Sequence, residues 1–122
     1  MERTEEFNVD GKSFVYLDLT GLRTSDEFMS AIEAIKKVIA KYPLNSLYTI
    51  TNVDDARFDS ETKAFLVDYM AHNKPYVKYG AVIGFNGINK MMGNYIFKTA
   101  ERTNMHFAFT REKAMEWLMS RE

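Results

Sequence analysis

The chain is 122 residues long and carries 16 basic and 17 acidic side chains, a formal charge of −1; this is the length of one domain, and the near-neutral balance without a long basic run argues against wrapping nucleic acid or carrying an acidic tail. Hydrophobic residues make up 46% and aromatic residues 14%, enough apolar material to bury roughly two thirds of the unfolded surface, so intrinsic disorder is not expected. The absence of cysteine excludes disulfides, thiolate catalysis and sulfur-ligated zinc.

No segment approaches the roughly 20 apolar residues that cross a bilayer. The opening MERTEEFNVD is charged where a secretory signal needs an apolar stretch. The expectation is one domain over residues 1–122, cytoplasmic, with no membrane span and no nucleic-acid partner.

In chain order, Phe7 to Val9 followed by Asp10-Gly11 predicts a short edge strand and a tight turn, because glycine accepts positive φ. From Phe14 to Gly21, Phe14, Tyr16 and Asp18 alternate with Val15, Leu17 and Leu19, which is the period of a strand. Thr24-Ser25-Asp26-Glu27 has the form of a capping box. The helix it opens carries Phe28, Ala31, Ile32, Ile35, Val38, Ile39 and Tyr42 on one stripe and ends before Pro43.

Leu47 to Thr51 predicts a second core strand, and Phe65, Leu66, Tyr69 and Met70 give a helix over about Ser60 to His72, closed by Pro75. Tyr79 to Phe85 reads as a strand whose central Ala81-Val82-Ile83 is covered on both faces. Asn86 is placed to cap a helix with Ile88, Met91, Met92, Tyr95, Ile96 and Thr99 on one side. A last strand, Met105 to Phe109, precedes Thr110 as cap and a final helix with Ala114, Trp117 and Leu118 inward. Strands alternating with helices predict an α/β fold with right-handed crossovers: one mixed, mostly parallel sheet of five strands with four helices.

The chemistry-bearing residues are sparse. His72 ends a helix and His106 lies among aromatics, and no H-x-x-x-H spacing joins them, so no metal site is expected. Asp54, Asp55, Arg57 and Asp59 fall in the loop after the second core strand, where the C-terminal edge of a parallel sheet places sites. The arginine among these acids suits an interaction loop or an ordinary solvated loop better than a pair of acid/base carboxylates. Nucleotide-binding loops and nucleophile elbows are absent, so neither cofactor nor catalytic residue is expected. Met91, Met92, Tyr95 and Phe97 make a stretch wider than one buried stripe, suited to an apolar ligand, an interface or a broad core face.

The layout resembles the STAS-type fold in its SpoIIAA-like branch of small bacterial proteins. The resemblance is carried by VYLDLTG entering the helix TSDEFMSAI, by YGAVIGF, and by the ending FAFTREKAMEWL. It implies a small mixed sheet with its helices mainly on one face. In that family a phosphorylatable serine stands at the start of the helix after the second core strand, in an Asp-Ser-Ser-Gly context, and the surfaces around it bind a partner. Asp59 and Ser60 match its first two positions, making Ser60 the candidate phosphoacceptor; Glu61 and Thr62 replace the second serine and the glycine. The expectation is a non-enzymatic regulatory or interaction module with a protein partner or self-association as a dimer. The alternative is a small apolar or lipid-like ligand in a cavity beside the 87–99 helix.

Overall fold

The structure, a computed structural model, describes residues 3–121. Five strands, β1 (Thr4–Val9), β2 (Lys12–Asp18), β3 (Leu47–Asn52), β4 (Val77–Ile83) and β5 (Met105–Phe107), form one sheet in the order β1-β2-β3-β4-β5. The helices are α1 (Ser25–Ile39), α2 (Ser60–Asn73), α3 (Gly87–Thr99) and α4 (Arg111–Met119). β1 runs antiparallel to β2, and every later pairing is parallel. From β2 to β5 each crossover steps one strand in the same direction. Right-handed crossovers therefore stack α1, α2 and α3 on one face, and α4 returns across the other.

Two cores follow from this layering. On the three-helix face, Phe28, Ile35 and Ile39 of α1, Leu66 and Tyr69 of α2 and Ile96 of α3 bury Val15, Leu17 and Val82 of the sheet. On the opposite face, Ala114 and Leu118 of α4 cover Phe14, Ile50, Ala81 and Ile83. Period-two alternation sends Phe14 to one core and Val15 to the other, as the sequence predicts. Strand register then lines rings across the α4 face: Phe7 stacks on Phe14 at 5.2 Å, Phe14 meets Tyr48 at 5.4 Å, and Tyr48 meets Tyr79 at 6.3 Å. Each ring sits on the register partner of the one before, and Trp117 closes the row edge-on to Tyr79 at 5.7 Å.

The expected turn forms with Asp10 at φ 50° and Gly11 at φ 81°, and both glutamate and hydroxyl arms of the Thr24–Glu27 capping box are made. Several strand boundaries differ from expectation: β2 covers Lys12–Asp18 where Phe14 to Gly21 was expected, and β5 ends at Phe107, two residues before the expected Phe109. β1 starts at Thr4, in register with Leu17, and its exposed Glu5 and Glu6, which mask the strand period, pair with Arg111 at 3.3 Å and Lys41 at 3.6 Å. Charge of this kind protects a sheet edge from further pairing. β4 begins at Val77 and ends at Ile83, two residues earlier at each end than expected, with Gly84 leaving the strand at φ 74°.

Candidate functional site: the outer face of α3 and the adjoining loop

The side chain of Asn86 caps α3 by accepting a hydrogen bond from the Asn89 amide at 2.8 Å. The buried face of the helix keeps Ile96 of the expected stripe but is rotated away from Ile88, Met91 and Tyr95. Asn89 points inward and its Nδ2 donates to the Ala56 carbonyl at 3.1 Å, while Ile96 is the other buried residue of the helix. Gly93 shares this face, where a Cβ would lie 2.9 Å from Cζ of Phe107. With a polar residue and a glycine inward, the apolar residues turn outward. Ile88 is 73% exposed, Met91 74% and Tyr95 49%. Their spacing of three and four places them on one face. Met92 and Phe97 are half-buried, and Phe97 packs on Phe107 at 5.6 Å.

Cations border this stripe on both sides. From α2, the Lys63 ammonium lies 4.4 Å from the Tyr95 ring centroid. Toward β5, Lys90 lies 5.7 Å from the Phe85 ring and 5.6 Å from that of Phe107. Lys98 occupies the last turn of α3, which carries no acidic residue at all. Among the described residues, none of these three lysines has a carboxylate within 4 Å. Phe109, 86% exposed, rests 5.8 Å from Phe85, the residue before the Asn86 cap.

The loop between β3 and α2 abuts the first turn of α3 through the Asn89–Ala56 bond. Its charged residues are exposed and separately employed. Asp55 pairs with Arg23 at 2.5 Å. Asp59 caps α2, accepting from the amides of Thr62 at 2.8 Å and Glu61 at 3.0 Å. These bonds, that from Thr62 foremost, hold its carboxyl below the usual carboxylate range. The Asp54 amide donates to Asn52 Oδ1 at 2.9 Å, and the Arg57 amide to the Leu22 carbonyl at 2.9 Å. Ser60 is exposed at the start of α2. Among the described residues no group of three or more His, Asp or Glu is placed to hold a metal ion. The histidines stand apart: His72 Nδ1 lies 3.0 Å from Asn73 Oδ1, and exposed His106 stacks on Trp117 at 4.6 Å.

Beneath α3 is a cavity of about 50 Å³ whose walls include Phe58, Leu66, Tyr69, Ile96, Phe97 and Phe107. Of the four residues expected to serve an apolar ligand or interface, Phe97 lines it, whereas Met91, Met92 and Tyr95 do not. Sequence reasoning missed two polar residues close by. Tyr69 is buried and its hydroxyl makes no well-formed hydrogen bond; burial pushes its phenol up, against opposing effects of Asn73 and Arg102. Arg102 is buried without a carboxylate partner among the described residues, and burial lowers it to about 10. Its guanidinium donates to the Met70 carbonyl at 3.2 Å and to Asn104 Oδ1 at 3.0 Å, and Asn104 Nδ2 in turn donates to the Val77 and Lys78 carbonyls. Arg102 thus ties the last turn of α2 to the strands beside it; one arginine in a polar stretch carries no periodic signal that would reveal this.

No known protein family, curated protein or solved structure matches the chain.

Proposed function

We propose that this protein is a non-enzymatic interaction module of the STAS-like type that docks through the outer face of α3. The carrying observation is the stripe of Ile88, Met91 and Tyr95, which contributes little to the fold while leaving three large side chains half to three-quarters exposed. Covering a fully exposed aliphatic side chain is worth about 1.5–3 kcal/mol. The stripe therefore offers on the order of 4 kcal/mol to a partner before the costs of association are subtracted. The flanking lysines restrict which partners fit. A non-catalytic role is supported by the polar groups of the neighbouring loop, since the Asp55 and Asp59 carboxylates are already held in a salt bridge and a helix cap.

The likeness to STAS-type domains is supported at the level of architecture, by a mixed five-stranded sheet with three of four helices on one face. Regulation at Ser60 has exposure in its favour. Against it, the Asp59 carboxylate already takes the free amides of the helix start, and Asp59 and Glu61 would repel a phosphate there.

The test is a photo-crosslinking amino acid placed at position 91 in cells that express the protein, with the exposed α4 position 112 as control. Protein adducts are expected at 91 and not at 112. No adduct at 91, or equal yields at both positions, overturns the reading.

The cavity supports the second reading, a small apolar ligand. Engineered cavities of about 150 Å³ admit benzene, so a lipid-like chain would require α3 to lift from Phe107. Native mass spectrometry of protein from its own cells tests this: a retained apolar mass lost on denaturation supports it, and a bare chain overturns it.

A further inference from the structure

We propose that the cavity beneath α3 is a binding site for a short-chain carboxylic acid, its alkyl part among the apolar walls and its carboxylate against Tyr69 and Arg102. The proposal rests on the apolar-ligand reading of that cavity and adds the chemical class and size of the ligand. It comes from the donors that the fold buries at this place without oxygen acceptors. Tyr69 is a wall of the cavity and 1% exposed, and its hydroxyl has no hydrogen-bond partner among the described residues. Asn73, one turn on, has its Oδ1 3.0 Å from His72 Nδ1. Arg102 stands one side chain behind the wall. It is 5% exposed; its Nε and Nη1 reach oxygens of Asn104 and Met70, whereas its Nη2 meets the thioether sulfur of Met105 at 3.1 Å. Met105 is itself a wall of the cavity, and a thioether is a weak acceptor. Tyr69 and Arg102 each sense the other's charge.

A buried cation beside a buried, unpartnered hydroxyl calls for an anionic acceptor. The described residues supply none. Glu101, next to Arg102, is exposed and pairs with Lys74 at 3.8 Å, and no carboxylate among them lies within 4 Å of the guanidinium. A carboxylate has two oxygens and accepts from both donors at once, whereas a purely apolar ligand leaves both bare. Moving the Met105 sulfur aside takes only rotation about its unbranched side chain. The other walls, among them Phe58, Leu66, Ile96, Phe97 and Phe107, suit hydrocarbon. Asn89, also on the wall, is held by the Ala56 carbonyl. The volume of about 50 Å³ is a third of the space that admits benzene, so roughly two or three carbons fill it while α3 stays in place.

Sodium propionate, titrated into the purified protein against sodium chloride at equal ionic strength, tests the site by NMR of the cavity side chains, with dissolved xenon as the apolar probe of the same space. Propionate is expected to shift the Leu66, Ile96 and Met105 methyl signals saturably, with a Kd on the order of 1 mM for so small a ligand, and to displace xenon. Its neutral isostere propionamide should bind about tenfold more weakly. Propionate should lose about tenfold in affinity for Tyr69→Phe, which keeps the ring and leaves xenon entry unchanged, and at least as much for Arg102→Met. Circular dichroism verifies folding, and Tyr69→Phe with propionamide decides the matter even where Arg102→Met does not fold. Xenon entry without displacement by propionate, propionamide as tight as propionate, or Tyr69→Phe binding propionate unchanged overturns the proposal while leaving the apolar-ligand reading standing. Neither xenon nor propionate in the cavity overturns both.

Discussion

Tyr69 and Arg102 lie enclosed beside the α2–β4 junction, and both answer to burial. The folded pKa of Tyr69 is above its ordinary value near 10. Its protonated form therefore contributes stability that is fully present below about pH 10 and is lost as pH rises through the folded value. Tyr69→Phe removes that ionisation, so its alkaline unfolding limb is expected to be shallower than that of the wild type, as read by circular dichroism and tyrosinate absorbance. Arg102→Ala strands the Met70 carbonyl and Asn104 and removes a packed stem, an expected loss of about 2–3 kcal/mol in urea unfolding. On the acid side, Glu27 is lowered by the backbone amides of Arg23 and Thr24, and Asp59 by that of Thr62. Groups with depressed folded pKa values stabilise above the unfolded value near 4 and cease to do so as pH falls through the folded value. The urea midpoints of wild type and Asp59→Asn should accordingly differ at pH 7 and converge near pH 2. A gap that persists at low pH would assign the cap no electrostatic part.

Helices α1 and α3 show what can be read from a pattern and what cannot. In α1 the apolar stripe, the capping box and the stop before Pro43 all agree, and Phe28, Ala31, Ile32, Ile35 and Ile39 are buried as the period predicts. Ile35→Ala is expected to cost about 2–5 kcal/mol, the range for deleting a fully buried aliphatic side chain. In α3 the same reasoning places Ile96 correctly but also turns Ile88, Met91 and Tyr95 inward, because periodicity assigns the most apolar face to the interior. Here Asn89 is satisfied by Ala56, and Gly93 is needed small by Phe107. The helix and its cap were legible; its rotation depended on two tertiary contacts that no local pattern encodes. The consequence is a helix held by fewer buried groups than α1, so its amides should exchange faster in dilute protein. Gly93→Ala should loosen it further, although alanine is favoured over glycine in helices by about 1 kcal/mol. Slower α3 exchange in that variant would show that Phe107 yields without cost.

Across the whole molecule, the sheet order follows from repeating one right-handed step, which is why the fold class was readable from the alternation of strands and helices alone. The same repetition gathers α1, α2 and α3 on one face and leaves α3 beside the short β5 at the end of the row. An outermost helix lacks the outer neighbour that would cover its far side, and its apolar residues Ile88 and Met91 face outward with cations around them. The charged loop of Asp54, Asp55, Arg57 and Asp59 was likewise legible at the strand ends, whereas its contact with α3 required the fold. Docking through α3 requires that this stripe be covered in the cell. Methionine oxidation measures it directly, with Met91 at 74% exposure compared with Met29 of α1 at 44%. In dilute purified protein Met91 should oxidise at least as fast as Met29; in intact cells given the same oxidant, Met91 should be selectively protected while Met29 is not. An unchanged ratio of the two rates between cells and dilute protein would mean that the stripe stays bare and that α3 is not a docking face.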